Sequence, residues 1–269
     1  MIKPTLVEKK KEKLILITND DGYQAKGLKT LIDVVKPMGD LMVIAPSESR
    51  SGMSHAITVK HPIRVKKIKE EQGLTMLCCN GTPVDCVKLA LNKLLDRVPD
   101  LVLAGINHGS NSSASILYSG TMAAALEGCL NGIPSIGFSL LDYSPDADFS
   151  GTLKYIGDIV RKTLTSGIPE GTCLNVNFPQ ENNQGFKGVK ICRQTRGRWI
   201  EKFDKRKDPQ QKTYYWLTGE FTNLEPDAED TDEWALKNHY VSIVPAQTDL
   251  TSYKAIDHIK KWDLSQDIR

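Results

Sequence analysis

Apolar and polar positions follow two different periods along the first half of the chain. Short runs that are apolar throughout predict strands buried on both faces; these are Leu14–Thr18, Leu41–Ala45, Thr75–Cys79, Leu101–Ala104 and Ile133–Leu140. Between them, apolar residues recur at helical spacing, which predicts helices at Gly27–Met38, Val84–Leu95, Met122–Leu130 and Thr152–Leu164. Strands that alternate with helices form parallel βαβ units. The pattern therefore predicts an α/β fold with a mostly parallel sheet and helices on both faces.

Two segments depart from this alternation. Residues 55–68 (HAITVKHPIRVKKI) alternate apolar and polar side chains, which predicts a half-exposed hairpin inserted beside the sheet. After Cys192 the hydrophobic content falls and aromatic residues become more frequent, which we interpret as a β-rich C-terminal arm. Exposed aromatic side chains on such an arm indicate a partner subunit that covers them. We therefore divide the chain into a core at 14–192 and an arm at 193–269, which ends with a strand at Tyr240–Val244 and a helix at Tyr253–Trp262.

The composition is that of an ordinary globular protein, with 40% hydrophobic and 25% charged residues. A formal net charge of +2 gives no global field that attracts nucleic acid or a membrane surface. No apolar stretch approaches the roughly 20 residues of a membrane span, and the basic N-terminus lacks the apolar region of a signal peptide. The six cysteines form no C-x-x-C pair, which is typical of reduced, buried thiols. We therefore predict a cytoplasmic protein without a membrane segment or a specific nucleic-acid partner.

Residues with polar oxygen-bearing side chains follow four predicted strands in turn, as NDDG (19–22), APSESRSG (45–52), NGT (80–82) and GINHGSNSS (105–113). Because ligands bind at the carboxyl ends of parallel strands, we expect these residues to converge on one edge of the sheet. The adjacent carboxylates of Asp20 and Asp21 repel each other there. A divalent cation offsets that repulsion, and hard oxygen ligands suit Mg²⁺, Mn²⁺ or Ca²⁺. The alternative is that the two acids cap the helix that starts near Gly27.

The start of the Ala-rich helix after Ser119, Gly120 and Thr121 is a second candidate site. Backbone N–H groups and the helix dipole at such an end bind anions such as phosphate. An ordinary N-cap formed by Ser119 or Thr121 is the alternative. Ser110 and Asn111 in the preceding loop can donate further hydrogen bonds. A cation beside a helix N-terminus suggests phosphoryl chemistry.

Other motifs of phosphate-binding proteins and hydrolases are missing from the sequence. It contains no P-loop, no dinucleotide-binding G-x-G-x-x-G after the first strand and no G-x-S-x-G elbow. Phosphatases of the haloacid dehalogenase type place a nucleophilic aspartate where this chain has Asn19. An amide cannot form the aspartyl-phosphate, which weakens that alternative.

Five of these segments together resemble the SurE family of metal-dependent survival-protein nucleotidases. They are NDDG (19–22), APSESRSG (45–52), NGTPVDCV (80–87), GINHGSN (105–111) and YSGTMAAALEG (118–128), with a weaker match at 231–251. The resemblance implies a Rossmann-like core with one divalent cation per subunit. By position, it implies metal ligands at Asp20, Asp21, Ser51 and Asn107. It further implies a phosphate pocket formed by Asn19, Asn80, Gly105, Ser110, Asn111, Ser119, Gly120 and Thr121.

The resemblance also implies an enzyme that hydrolyses nucleoside 5′-monophosphates, with 3′-monophosphates and polyphosphate as further substrates. Asp20 or Asp21 would act in catalysis, and we favour attack by a water molecule because a metal-bound carboxylate is a blunted nucleophile. Homodimers or homotetramers that exchange C-terminal arms are expected. The alternatives are a catalytically silent protein that binds nucleotide or metal, and a phosphatase like the haloacid dehalogenases.

Overall fold

The computed structural model describes residues 12–180 and 185–262. Two sequence-based expectations concern segments outside this part of the chain. The N-terminal residues that we expect not to form a signal peptide lie mostly in 1–11, and the end of the predicted arm lies in 263–269.

Strands and helices alternate through the first two thirds of the described chain, as the sequence pattern predicts. The strands are β1 (Leu14–Thr18), β2 (Asp40–Pro46), β3 (Val65–Glu71), β4 (Leu74–Cys79), β5 (Leu101–His108), β6 (Ser135–Leu140), β7 (Thr172–Phe178), β8 (Val189–Ile191), β9 (Gly197–Lys207), β10 (Thr213–Asn223) and β11 (Val241–Gln247). The α-helices are α1 (Lys26–Val35), α2 (Pro83–Leu89), α3 (Gly120–Leu130), α4 (Leu153–Ser166), α5 (Asp232–Lys237) and α6 (Tyr253–Ile259).

Nine of the described strands form one sheet in the order β3-β4-β2-β1-β5-β6-β7-β11-β8. The strands from β4 to β7 in this order are parallel to one another. β3 and β11 run antiparallel to their neighbours β4 and β7. The strand order reverses at β1, because β2 lies on one side of it and β5 on the other. A crevice therefore opens at the carboxyl ends of β1 and β5, where ligands bind in sheets of this kind.

Helices cover both faces of the sheet. On β1, Ile15 and Ile17 belong to the apolar cluster that includes residues of α1 and α4. Leu16 belongs instead to the cluster that includes residues of α2 and α3. Successive side chains of a strand point to opposite faces, so Ile15, Leu16 and Ile17 must all be apolar. The predicted α/β fold with a mostly parallel sheet and helices on both faces is confirmed.

The predicted β-rich arm is present as a long antiparallel hairpin, β9–β10, which forms a separate two-stranded sheet. Most of its side chains are exposed, including large apolar ones such as Phe203, Tyr215 and Trp216. Among the described residues, no helix combines the length and the apolar character that crossing a membrane requires.

The predicted hairpin at 55–68 is wrong. Residues 55–64 lie outside any strand, and β3 instead pairs with β4 to form the antiparallel edge of the sheet. The backbone of this segment bonds to the start of α2: Thr82 Oγ1 donates to the carbonyl of Ala56, and the Thr58 N–H donates to Asp85 Oδ1. These tertiary bonds replace the local ladder that the alternating pattern suggested.

The predicted last strand is observed as β11, but it pairs with β7 and β8 in the main sheet. The proposed division at residue 193 therefore separates strands that share one sheet. β7, which bridges the two parts, is not among the predicted strands. Asn175 and Asn177 interrupt its apolar run, although both side chains are buried.

Candidate active site

The carboxyl end of β1 delivers Asp20 to the crevice, where its side chain is only 3% exposed. Thr121 Oγ1 donates to Asp20 Oδ1 at 2.5 Å, which joins the acid to the first turn of α3. A Cβ atom added to Gly120 would lie 2.9 Å from Asp20 Cβ, so only glycine allows α3 to approach this closely. The backbone N–H of Arg50 donates to the Asp20 carbonyl at 2.7 Å, which holds the Ser51 loop against β1.

Burial and mutual repulsion disfavour the charged forms of the two adjacent acids. Burial, and then the charge of Asp21, raise the pKa of Asp20 from 3.8 to about 6, against the opposing hydrogen bonds from Thr121. Burial also raises the pKa of Asp21, although the backbone N–H of His108 donates to its Oδ2 at 3.2 Å. Two raised pKa values at one strand end mark a place where positive charge would be strongly stabilising.

The oxygen atoms around this pair fit a hard divalent cation. Asp20, Ser51 and Asn107 line one cavity of about 640 Å³, and Asp21 adjoins it. Asn19 Oδ1 is buried and has no hydrogen-bond partner among the described residues, while the Nδ2 of the same side chain donates to the Gly22 carbonyl at 2.9 Å. Within residues 12–180 and 185–262, no group of three or more His, Cys, Asp or Glu side chains forms a metal cluster. The oxygen atoms that Asp20, Ser51 and Asn107 offer here are carboxylate, hydroxyl and amide oxygens, a set that suits Mg²⁺, Mn²⁺ or Ca²⁺.

Half of the twelve residues predicted for the site line this cavity. Its walls include six of them, which are Asp20, Ser51, Asn107, Ser110, Asn111 and Ser119. Thr121 and Gly120 lie directly against Asp20, and the Asn19 side chain donates to the Gly22 carbonyl. Ser119 Oγ also accepts from the Met122 N–H at 2.9 Å, so the N-cap interpretation of this residue is confirmed.

Asn80 and Gly105 do not line the cavity. Asn80 Oδ1 accepts from the Arg64 N–H at 2.7 Å, and its Nδ2 donates to the Pro62 carbonyl at 3.3 Å, so the side chain fastens a loop. A Cβ atom on Gly105 would lie 2.4 Å from the carbonyl oxygen of Phe138, which makes its position a matter of strand packing. The assignment of both residues to phosphate stays a prediction.

Asn111 is held in the cavity wall by residues that the sequence pattern did not reveal. Its backbone N–H donates to Asn177 Oδ1 and its Nδ2 donates to Ser139 Oγ, at 2.8 and 2.7 Å. Asn175 Nδ2 donates to the Asn111 carbonyl at 2.8 Å. The signal available in the sequence was two asparagines at alternate positions of an otherwise apolar strand, which place both amides on one face of β7.

Asp232 joins three parts of the molecule and is also absent from the predicted site. It is fully buried at the start of α5, where Oδ2 accepts from the Ser113 N–H at 2.8 Å and Oδ1 accepts from the Thr195 N–H at 2.9 Å. Ser113 begins the 3₁₀ turn Ser113–Leu117, which leads into α3, and Thr195 precedes β9. This carboxylate therefore ties the base of the arm to the cavity wall.

Replacing Asp232 with alanine is expected to lower the free energy of unfolding by about 3 kcal/mol or more, because buried N–H groups lose their charged acceptor. Urea denaturation measures the change, and Asp227→Ala serves as the matched control because that aspartate is exposed in the same segment. Equal stabilities of the two variants would show that the Asp232 contacts carry no net stabilisation.

Comparisons with known proteins agree with this geometry. The family profile described as "Survival protein SurE" matches residues 15–201. The chain is 52% identical over 254 residues to a protein of Flavobacterium psychrophilum named 5′-nucleotidase SurE, covering 94% of this chain and 98% of that protein. It is also 52% identical over 256 residues to the 5′-nucleotidase SurE of Phocaeicola vulgatus, with 95% and 99% covered.

A solved structure has the same fold. The crystal structure of SurE protein from Aquifex aeolicus superposes with a TM-score of 0.79 at 40% identity, covering 92% of this chain and 98% of that one. Likeness of this extent in both sequence and fold, together with the acid pair at the strand-order reversal, identifies the family. The chain belongs to the SurE family.

Proposed function

We propose that the chain is a divalent-metal-dependent 5′-nucleotidase, which hydrolyses nucleoside 5′-monophosphates to nucleoside and phosphate. The observation that carries the proposal is the acid pair at the carboxyl end of β1, of which Asp20 is buried and Asp21 half-buried, beside a cavity lined by hydroxyl and amide groups. The names of relatives that are about half identical over nearly the whole chain support it. 3′-Monophosphates and polyphosphate are further candidate substrates.

In this proposal, Asp20, Asp21, Ser51 and Asn107 hold one divalent cation, which is Mg²⁺, Mn²⁺ or Ca²⁺. When bound, the cation supplies positive charge that stabilises the phosphoryl oxygens as the ester bond breaks. Side chains of the protein orient the water molecule and hold the substrate. One of the two aspartates orients the attacking water, and the three phosphate-binding side chains Ser110, Asn111 and Ser119 hold the phosphoryl group in line with it.

Incubation of the purified protein with AMP and Mn²⁺, with released phosphate as the readout, tests the proposal. We expect release that stops in EDTA and returns with added metal. Asp21→Asn should lower the rate by about 100-fold or more, whereas Asp33→Asn, an exposed aspartate on α1, should not change it. No release across several nucleotides and metals would favour the silent binding protein. Full activity of Asp21→Asn would contradict the ligand assignment.

The metal should also stabilise the fold, in a manner that depends on pH. At 100 times its dissociation constant, Mn²⁺ should add about 2.7 kcal/mol, which raises the melting temperature by about 5–10 °C. Because Asp20 has a pKa of about 6 in the metal-free protein, its proton competes with the cation below that pH. We expect the apparent affinity to fall about tenfold per pH unit there. Calorimetric titration over a pH series checks this, and an affinity independent of pH would contradict it.

We further propose that the chain forms a homodimer or homotetramer through the C-terminal arm. Phe203, Tyr215 and Leu217 are each more than half exposed on one face of the hairpin, and a monomer rarely leaves so much contiguous apolar surface in water. Light scattering measures the assembly state.

A cytoplasmic location is proposed because all six cysteines are free, buried thiols.

A further inference from the structure

We propose that the base of the hairpin forms a nucleobase subsite, in which the indole of Trp199 stacks on the base of the bound nucleotide. This inference rests on the proposed function, since it names the part of the substrate that the far end of the cavity receives. Trp199, Leu217 and Gly219 of the hairpin line the same cavity as Asp20 and Ser119. One cavity thus joins a polar, acidic end to an aromatic one.

The indole of Trp199 is half-buried and fixed at two edges. Its Nε1–H donates to Ser115 Oγ at 3.4 Å. The ring of Phe221 meets it edge to face, with 5.9 Å between the ring centroids. An aromatic ring held in this way offers a face to a ligand without a further loss of rotamer freedom on binding.

The contact with Ser115 sets the position of the indole relative to the phosphate end. Ser115 lies in the 3₁₀ turn Ser113–Leu117, and Ser119 caps α3 only two residues after that turn ends. The Asp232 carboxylate fastens the beginning of the same turn to the residues before β9. The stacking surface and the phosphate-binding helix are therefore parts of one rigid connection.

The pairing of the two hairpin strands places Gly219 diagonally across from Trp199. Trp199 pairs with Phe221 and Glu201 pairs with Gly219, so these four residues lie on one face of the hairpin. Gly219 contributes no side chain, and a Cβ atom there would lie 2.6 Å from the carbonyl oxygen of Ile200. Gly219 therefore adds no side chain to the cavity wall beside Trp199.

A nucleoside monophosphate has the same division as the cavity, with a charged phosphate at one end and a flat heterocycle at the other. Stacking of a base on an aromatic side chain tolerates different bases, because every base has a π-face. The subsite therefore distinguishes nucleotides from phosphate esters that lack a base, rather than one base from another.

The test compares AMP with ribose 5-phosphate, which carries the same phosphate and sugar without the base. In Trp199→Ala, KM for AMP should rise by about tenfold to a hundredfold, while kcat for AMP and both constants for ribose 5-phosphate change less than twofold. Trp199→Phe should restore most of the affinity for AMP. Adenosine, which lacks phosphate, should inhibit ribose 5-phosphate hydrolysis by the wild-type protein about tenfold more strongly than hydrolysis by Trp199→Ala.

Trp216→Ala is the matched control. Trp216 lies on the same hairpin but contacts Tyr214, and it does not line the cavity. It should keep the wild-type preference for AMP, and light scattering should show the same assembly state for all variants. An unchanged ratio of kcat/KM for AMP to kcat/KM for ribose 5-phosphate in Trp199→Ala would overturn the subsite and leave the proposed function standing. Failure of the wild-type protein to hydrolyse either ester would overturn the proposed function itself.

Discussion

Replacing Asp20 with asparagine should abolish phosphate release from AMP and, in the absence of metal, make the protein more stable. The loss of turnover should be about 1,000-fold or more, because the variant lacks one of the two negative charges that hold the cation. Asparagine has nearly the same shape as aspartate, and its Oδ1 can still accept the hydrogen bond from Thr121. The change therefore isolates the effect of the charge.

The gain in stability follows from the raised pKa of Asp20. At neutral pH the metal-free protein must keep this buried carboxylate ionised, although its pKa has risen from 3.8 to about 6. A difference of this size corresponds to a cost of the order of 3 kcal/mol. The pKa of Asp20 is higher in the folded state than in the unfolded state. Its contribution to the free energy of unfolding is therefore fully present below pH 3.8 and is lost as pH rises through about 6. Asp20→Asn removes this part of the pH dependence.

Urea denaturation in EDTA at several pH values measures the stability of the metal-free variant. Thermal denaturation with and without Mn²⁺ measures how much the metal stabilises it. Asp33→Asn again serves as the control, since its carboxylate is exposed. We expect Asp20→Asn to exceed the wild type in stability above pH 6 and to gain little from metal. If the metal-free variant were the less stable protein at neutral pH, the acid pair would not be a source of repulsion.

Replacing Gly105 with alanine should damage the fold and the site together. Gly105 has a φ of +125°, a conformation that side chains rarely adopt. The added methyl group would also lie 2.4 Å from the carbonyl oxygen of Phe138, on the neighbouring strand β6. The nearest atoms all belong to the backbone of Phe138 and Asn107, which cannot move aside as a flexible side chain could. We expect the free energy of unfolding to fall by about 3–5 kcal/mol, and AMP turnover to fall with it because Asn107 lies two residues further along β5.

Gly132→Ala separates the effect of the positive φ from the effect of the clash with a neighbouring strand. Gly132 also has a positive φ, +72°, but apart from its chain neighbours no described residue has an atom within 4 Å of the position that its Cβ would take. Its substitution should cost only about 1 kcal/mol, the price of the backbone conformation alone. Thermal denaturation and the phosphate-release assay are the measurements. Equal effects at the two positions would show that the close approach of β5 to β6 contributes nothing to the loss of stability and turnover.

The layered fold could be predicted from particular residues. Ile15, Leu16 and Ile17 are apolar in succession, which distinguishes a strand buried on both faces from one that faces water. The residues that follow such a strand face the carboxyl edge of the sheet, so Asp20 and Asn107 could be assigned to one site before any coordinates existed. That assignment depended only on chain direction and on the parallel arrangement of strands.

Residues whose roles depend on distant partners could not be predicted in this way. Asp85 and Thr58 are remote in sequence, yet their hydrogen bond displaces the hairpin expected at 55–68. Asn177 lies 66 residues from Asn111, whose backbone it holds. Trp199 belongs to a region that the sequence assigns to contacts between subunits, and its place in the cavity wall depends on how the hairpin packs against the Ser113–Leu117 turn.

The sequence by itself determined that strands alternate with helices, the layered α/β fold and the strand end that carries the acids. These features arise from periodicity and chain direction, which are local properties. Tertiary structure alone decided the depth at which Asp20 is buried, its contact with Thr121 and the closure of the cavity by the hairpin. Such features depend on the packing of segments that lie far apart in the chain, and no local pattern of residues encodes the distance between them.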